Sequence, residues 1–382
     1  MSTAGKSSFL ADVVSGKAHG TIASAVGASL ALAAPVYGCM MRARAAAYAS
    51  GMLPSATLAR PAISVGNITT GGTGKTPFVR LLIGELRCLG HRPAVLTRGY
   101  HSGPTGHHLG DEGQMISTMT AVPVGAGSNR AASAIRLLAH QPAISTFILD
   151  DGFQHLRIRR NLDILLISAA APWGRADHIR RCLPGGLMRE PLAAVRRAHL
   201  IVITRSDQFP TERTHEIAAV LRKAGACAQI LRGAHGPAGF RSSTTPADVA
   251  PDITTLAGSQ ALAVCGIGEP ESFFGQLRGL GIRLIKSAAY PDHHHYTKDD
   301  LAAINSAAST ADAIITTEKD WVKLSPLSHA ITKPIYRLDV QMSLTGLASD
   351  SPKPTDNPEV IRARSDQALS ILRTAITEAI KH

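Results

Sequence analysis

The residues whose types and spacing best suit chemistry lie in one stretch, residues 64–78, which reads SVGNITTGGTGKTPF. A short apolar run, residues 61–65, leads into a loop of Gly and Thr, and Lys75 and Thr76 then open an apolar segment. This order of strand, glycine-rich loop and helix is the layout of a phosphate-binding P-loop. Such a loop presents backbone N–H groups and a helix N-terminus to an anion, and its Lys and Thr suit the outer phosphates and Mg²⁺.

We therefore expect this loop to bind the phosphates of a nucleotide. The expected cofactor-binding residues are Thr69, Thr70, Gly71, Gly72, Thr73, Gly74, Lys75 and Thr76. Thr69 stands where the standard motif has its first glycine. The competing interpretation is a glycine-rich turn with a chance Lys-Thr pair, and the agreement of strand, glycines, Lys-Thr and helix favours the P-loop.

A second candidate is the apolar run 146–151, TFILDD, which ends in two carboxylates. In P-loop proteins, a strand beside the P-loop strand ends in an Asp that helps to hold Mg²⁺. Asp150 and Asp151 fit that role, and Gln154 follows in the next loop. The alternative is a strand-end turn in which an Asp caps the next element.

These groups require a scaffold that brings strand ends together. Strands and helices of similar length alternate along the chain, which predicts an α/β fold with a mostly parallel sheet and a P-loop NTPase-like core. Ligands bind such sheets at the carboxyl ends of the strands. We expect five regions along the chain: an N-terminal apolar region (1–60), the P-loop core (61–224), an interdomain connection (225–258), a smaller C-terminal α/β domain (259–345), and a tail with a helix (346–382).

Composition narrows the class of partner. The 382 residues suffice for two domains, and the net charge of +12 favours polyanions such as nucleic acid, an anionic membrane or phosphorylated substrates. The five cysteines are scattered, without a CxxC pair, which indicates a reducing compartment. Aromatic residues are only 4% of the chain and no nucleic-acid motif is present, so we expect no nucleic-acid partner.

Residues 21–41 contain no charged side chain, and Arg42 and Arg44 follow directly. The length suits a membrane span, but the run is rich in Ala and Gly and contains Pro35. We favour an apolar helix that packs on the protein or enters one leaflet, with the arginines meeting lipid headgroups. An ordinary buried helix is the alternative.

Together the motifs resemble the tetraacyldisaccharide 4′-kinase family, the lipid A 4′-kinases of Gram-negative bacteria. The matching stretches are VGNITTGGTGKTP (65–77), TRGY (97–100), GDE (110–112), ILDDGFQH (148–155), LPGGLMREP (183–191), GIGEPESFF (266–274), PDHHHYT (291–297) and TTEKDWVKL (316–324). The family shares the P-loop variant without the first glycine. Gly113 stands where the family usually has a proline.

The resemblance implies an ATP- and Mg²⁺-dependent lipid kinase. Its acceptor is the 4′-hydroxyl of a tetraacylated glucosamine disaccharide 1-phosphate. Its expected place is the cytoplasmic face of the inner membrane, peripheral or shallowly inserted. The implied partners are the lipid substrate and an anionic membrane surface, and we expect a monomer.

The resemblance also implies residue roles. Asp111 matches the candidate general base, His293 its partner, and Lys75 the catalytic lysine. Thr76 and Asp151, with Asp150 and Glu112, are the implied Mg²⁺ ligands. The implied substrate-binding residues are Arg98, Tyr100, Gln154, Arg189 and Glu190.

Three other interpretations stay open. A nucleotide-driven switch or metallochaperone also uses a GGTGKT loop, and the charge alone permits a nucleic-acid-binding ATPase. The run His293–His295 invites a metal site, although consecutive histidines rarely share one focus. Glu318, Lys319 and Asp320 follow a strand and suit the first turn of a helix, so their role is left open.

Overall fold

The computed structural model describes residues 9, 12–14, 18–99, 111–174, 180–242, 252–267, 270–291, 294–347 and 358–381. The chain forms two compact units. Unit 1 comprises residues 1–98, 123–235 and 342–382, and unit 2 comprises residues 99–122 and 236–341.

Helices and strands alternate through most of both units. The helices are α1 (Thr21–Ala49), α2 (Lys75–Cys88), α3 (Asp111–Thr120), α4 (Arg130–His140), α5 (Thr211–Lys223), α6 (Pro270–Gly279), α7 (Lys298–Ala307), α8 (Glu318–Leu324) and α9 (Pro358–Lys381). The strands are β1 (Ala62–Gly66), β2 (Pro93–Thr97), β3 (Val124–Ala126), β4 (Thr146–Asp150), β5 (Leu162–Ser168), β6 (Leu200–Thr204), β7 (Gln229–Ser242), β8 (Gln260–Cys265), β9 (Arg283–Ala289), β10 (Ala313–Thr317) and β11 (Ile335–Gly346). Short 3₁₀ helices cover Leu192–Arg197, Ser206–Gln208 and Ser325–Ala330.

Unit 1 is built on a parallel sheet with the order β3-β2-β4-β1-β5-β6-β7. Its central strands β1, β4 and β5 are buried along their whole length. Strands buried on both faces are typical of parallel sheets covered by helices. The expected α/β fold with a P-loop-type core is therefore confirmed, and β4 lies beside β1 as the sequence predicts.

Helix α1 has two different faces. Small residues on one face, Ala23, Ala34 and Gly38, are buried against unit 1. The other face carries four large apolar side chains that are mostly exposed: Ile22 (73%), Leu32 (80%), Val36 (63%) and Met40 (65%). The helix is long and apolar enough to cross a membrane by length and composition.

Unit 2 carries a second parallel sheet with the order β11-β10-β8-β9. Residues 318–320, whose role the sequence left open, start α8 directly after β10. Thr317 caps the helix by accepting a hydrogen bond from the Asp320 N–H. The fully buried Asp320 carboxylate accepts hydrogen bonds from the Gly266 N–H (2.8 Å) and the Thr317 hydroxyl (2.7 Å). These residues thus join the ends of β8 and β10.

The stretch 225–258, expected to be a connection, contains the 14-residue strand β7. Its sequence, with two glycines and a proline within residues 233–237 and a third glycine at 239, lacks the alternation that predicts a strand. The strand passes from unit 1 to unit 2 between His235 and Gly236. Strand β11 passes back between Gln341 and Met342. Backbone pairing with β6, rather than side-chain pattern, accounts for the start of β7.

Asp320→Asn is expected to lower the free energy of unfolding of unit 2 by about 1–3 kcal/mol, because a buried hydrogen-bonded carboxylate is replaced. Asp312→Asn is a matched control, because exposed Asp312 also accepts from a strand backbone, at the Gln260 N–H (2.9 Å). Its loss is expected to stay under about 1 kcal/mol. Urea unfolding followed by Trp321 fluorescence in a Trp173→Phe background measures unit 2. Equal losses in the two variants would contradict the prediction.

Candidate active site

The glycine-rich loop joins β1 to α2, as the sequence predicts. Gly74 precedes the first turn of α2 with a φ of 76°, in the left-handed region that favours glycine. A Cβ at Gly74 would lie 2.5 Å from Nε2 of His235, so the imidazole packs on this part of the loop. Lys75 and Thr76 are half-buried at the helix start. A loop that leads in this way into a helix N-terminus can offer backbone N–H groups to an anion.

Two side chains that the sequence did not predict, those of Asn67 and Thr204, donate hydrogen bonds to Thr73 in the loop. The Asn67 amide, fully buried, donates to Oγ1 of Thr73 (3.1 Å). The Thr204 hydroxyl at the end of β6 donates to the Thr73 carbonyl (2.9 Å). Both contacts hold the centre of the loop in place before any ligand arrives.

The segment 187–189 pairs with the start of the loop. The Thr70 N–H donates to the Leu187 carbonyl (2.8 Å), and the Arg189 N–H donates to the Ile68 carbonyl (2.8 Å). Thr69 and Met188 form an antiparallel bridge between these contacts. The position of Thr69, where the motif departs from its standard form, therefore lies in a short backbone ladder.

Asp151 is the centre of a charged cluster. One carboxylate oxygen lies 3.4 Å from Nζ of Lys75, and the other accepts a hydrogen bond from Nη1 of Arg189 (2.7 Å). Burial raises the pKa of this carboxyl, but Lys75 and Arg189 together outweigh burial and lower the pKa below its ordinary value. Asp151 is therefore an anion at neutral pH, and two cations share it.

Asp150 has a different environment from Asp151. Its side chain is 4% exposed. Its carbonyl accepts a hydrogen bond from Nη2 of the buried Arg130 (2.6 Å), and the Asp151 carbonyl accepts from the same guanidinium (3.4 Å). Arg130, which the sequence analysis missed, thus supports the backbone on which both carboxylates stand. Asp151 keeps a φ of 50°, an uncommon conformation for a residue other than glycine.

The donor set suits Mg²⁺ at the loop. The oxygen Oδ1 of Asp151 is buried without a hydrogen bond, and a Thr hydroxyl at position 76 stands at the start of α2. Among the described residues, no cluster of three or more His, Cys, Asp or Glu side chains is arranged to hold a metal ion. Mg²⁺ fits such a site because it commonly takes one or two protein oxygens together with phosphate and water oxygens.

The residues expected to bind substrate fall into two groups. Gln154 donates from Nε2 to the Asn67 carbonyl (2.7 Å), and the 2%-exposed Glu190 accepts two hydrogen bonds from Arg197 (2.7 and 2.9 Å). These two side chains are committed to contacts within unit 1. Arg98 is exposed after β2, while Tyr100 lies outside the described residues.

The residues expected to supply the base are placed only in part. Asp111 and Glu112 form the first turn of α3 in unit 2, but their side chains lie outside the described residues, as does His293. The neighbouring His294 is held by Asp300, with 2.9 Å between Nε2 and Oδ2. His294 also stacks on Tyr290, with ring centroids 4.7 Å apart. A structural role therefore accounts for His294.

Comparison with known proteins identifies the family. The profile described as tetraacyldisaccharide-1-P 4′-kinase matches residues 26–351. This chain belongs to the tetraacyldisaccharide-1-P 4′-kinase family. The resemblance predicted from the motifs is confirmed, and with it the kinase class and the predicted function in lipid A biosynthesis.

Similar proteins agree with this assignment. The tetraacyldisaccharide 4′-kinases of Geobacter sulfurreducens and Halothermothrix orenii are 37% and 33% identical, over 87% and 83% of this chain and 94% and 89% of their own. A crystal structure of LpxK from Aquifex aeolicus in complex with ATP has a TM-score of 0.68 and 24% identity. It covers 93% of this chain and 99% of its own, and supports the fold. These relatives do not favour the alternative of a switch or metallochaperone.

Two half-buried histidines of unit 1, His155 and His235, are held neutral. Burial lowers the pKa of His235 to about 4, against the opposing effect of Asp207. Burial, with Arg130 and Arg160 nearby, lowers the pKa of His155 to about 4. Both ring nitrogens of His235 are buried without a hydrogen bond to the described residues.

The stability of unit 1 is therefore expected to fall on acidification. Unfolded histidine has a pKa of about 6.5, so the unfolded chain binds more protons than the folded chain between pH 6.5 and pH 4. The contribution of neutral His235 is complete above pH 6.5 and is lost as the pH falls toward about 4. Between pH 7 and pH 5, the wild type is expected to lose about 2 kcal/mol more than His235→Gln. Urea unfolding followed by Trp173 fluorescence in a Trp321→Phe background measures this difference, and equal losses would contradict the assignment.

Proposed function

We propose that the loop 69–76 of this kinase binds the phosphates of ATP and that the Lys75–Asp151–Arg189 cluster holds the phosphoryl group in transfer. The observation that carries the proposal is the cluster itself. Two cations meet one carboxylate beside a loop whose backbone is prepared for an anion. The net positive charge favours a polyphosphate over a neutral ligand.

Each residue of the cluster has a distinct task. Lys75 supplies a mobile charge to the outer phosphates, and Arg189 offers a planar donor set to the phosphoryl oxygens. Thr76 and Asp151 would hold Mg²⁺, with Asp150 and Glu112 as further candidates. Bound Mg²⁺ neutralises charge on the β- and γ-phosphates. Asp151 also fixes both cations where that charge develops.

Asp111 is proposed as the general base that takes the proton of the 4′-hydroxyl. A sugar hydroxyl is a poor nucleophile, and a carboxylate can accept its proton as the phosphoryl group transfers. His293 is proposed as the partner that orients this carboxylate. Both belong to unit 2 by position in the chain.

Arg98 and Tyr100 are the remaining candidates for the headgroup of the lipid. Arg98 follows β2 at the carboxyl edge of the unit 1 sheet, where ligands of such sheets bind, and Tyr100 comes two residues later in the sequence. Gln154 and Glu190 act instead as supports, because their side chains are bonded to Asn67 and Arg197.

Helix α1 is proposed to lie in the cytoplasmic leaflet of the inner membrane without crossing it. Its buried face packs on unit 1 and so excludes lipid, while Leu32, Val36 and Met40 form an exposed apolar stripe. Arg42, exposed at the end of the stripe, suits an anionic headgroup. Arg44, expected to meet headgroups as well, is half-buried and donates to the Gln154 carbonyl (3.3 Å).

Asp111→Ala is expected to lower kcat for lipid phosphorylation by about 100-fold or more, since positioned proton transfer contributes about 10²–10⁴-fold. The assay follows labelled phosphate from ATP into tetraacyldisaccharide 1-phosphate in detergent. ATP affinity, measured by calorimetry, is expected to stay within about twofold, because Asp111 does not belong to the loop. A fully active variant would remove Asp111 as the base, and a wild type without lipid product would overturn the proposed function.

Leu32→Ser with Val36→Ser is expected to weaken binding to vesicles of phosphatidylglycerol and phosphatidylethanolamine by about 10-fold or more. The reason is that the bilayer would no longer receive two apolar side chains of the exposed stripe. Ile135→Ser is the matched control, since Ile135 is 69% exposed on α4 of the same unit. Co-sedimentation measures the effect. Equal binding by the double variant and the control would show that α1 does not face lipid.

A further inference from the structure

The protein-facing side of α1 contacts two of the three segments that form the charged cluster, the loop after β4 and the segment 187–189. We propose that Tyr37 and Arg44 are positioning residues for phosphoryl transfer, which they support by holding the backbones of Arg189 and Gln154. This inference rests on the proposed role of Arg189 at the transferring phosphoryl group. It makes the helix that carries the exposed apolar stripe a structural part of the active site.

The Tyr37 contact acts on Arg189 directly. The Tyr37 hydroxyl donates to the Arg189 carbonyl (3.0 Å), while the Arg189 N–H donates to the Ile68 carbonyl (2.8 Å). Burial raises the pKa of Tyr37, so the hydroxyl keeps its proton at neutral pH. Both peptide groups of Arg189 are therefore held, one by α1 and one by the start of the loop. Its guanidinium is then fixed 2.7 Å from Asp151.

Close backbone packing keeps this contact in register. A Cβ at Gly185 would lie 2.6 Å from Cα of Ala31, so α1 and the segment 183–191 touch without side chains between them. A Cβ at Gly38 would lie 3.6 Å from Cγ of Pro191. Tyr37 thus has little freedom to move relative to Arg189.

Arg44 acts on the second loop. Both terminal guanidinium nitrogens donate to the Gln154 carbonyl at 3.3 Å. The Gln154 side chain donates to the Asn67 carbonyl, and the Asn67 side chain donates to Thr73 within the phosphate loop. A continuous set of hydrogen bonds therefore leads from α1 to the loop that follows β1.

The first experiment compares Tyr37→Phe with Tyr48→Phe. Tyr48 lies on the same helix with its ring centroid 5.3 Å from Cζ of Arg44, and Tyr48→Phe keeps that ring while it removes a hydroxyl. Loss of this partly buried hydrogen bond is expected to lower kcat about 3–10-fold in Tyr37→Phe. The KM for ATP and vesicle binding are expected to match the Tyr48→Phe control. Equal kcat in the two variants would overturn the role of Tyr37.

A double-mutant cycle with Arg189→Met tests whether Tyr37 acts through Arg189. If it does, Tyr37→Phe has no further effect on kcat in the Arg189→Met background, because the side chain it positions is absent. Additive losses would overturn the proposal.

Arg44→Met is expected to lower kcat by about 10-fold or more, and Arg44→Lys, which keeps one charged donor group, is expected to restore part of kcat. If neither Arg44 variant differs from wild type, the role of Arg44 is overturned.

A readout without lipid separates this proposal from the proposed function. Modification of Arg189 by phenylglyoxal, followed by peptide mass spectrometry, reports how firmly its guanidinium is held. The rate is expected to rise in Tyr37→Phe and to stay at the wild-type value in Tyr48→Phe. Unchanged rates in both would overturn the positioning role. A wild type that gives no lipid product would instead remove the proposed function, while the modification rates still decide the contact.

Discussion

The candidate active site is organised around one carboxylate placed between two cations. Lys75 and Arg189 would repel each other in an empty phosphate loop, and Asp151 offsets that repulsion from a position in contact with both. A cluster of two cations and one anion still carries net positive charge. The cluster can therefore be stable without a nucleotide and still attract phosphate groups.

The sheet explains why these three residues meet. Strand β4 pairs in parallel with β1, with Val65 opposite Asp150, so the residue after β4 reaches the level of the loop after β1. Arg189 comes from a distant segment with no strand of its own. It reaches the site because residues 187–189 pair with the start of the phosphate loop. Thr69, at the position where the motif lacks its usual first glycine, takes part in this pairing through its backbone.

The sequence reveals some of these features and hides others for a physical reason. Lys75 and Asp151 were predictable because a glycine loop and a strand ending in Asp have local patterns that follow from phosphate and Mg²⁺ chemistry. Asn67, Arg130 and Thr204 were not, because they act on backbone carbonyls, and any backbone offers such a partner. The resemblance implied that Glu190 binds substrate. The type of a residue does not show its partner, and here Glu190 is paired with Arg197 inside unit 1. The α/β fold followed from alternation of elements, whereas β7 was missed because its glycines and proline break the pattern.

The composition of α1 differs between the face that packs on the protein and the face that is exposed. A helix surrounded by lipid gains most from large apolar side chains, so the abundance of Ala and Gly in α1 needs another explanation. The structure places Ala23, Ala34 and Gly38 on the face that meets the protein, where small side chains allow close backbone approach. Large apolar residues occupy the opposite face. A side chain at Gly185, whose Cβ would lie 2.6 Å from Cα of Ala31, would push the helix away from the segment 183–191 and with it the hydroxyl that holds Arg189. The small residues therefore allow the close approach that places Tyr37 beside Arg189.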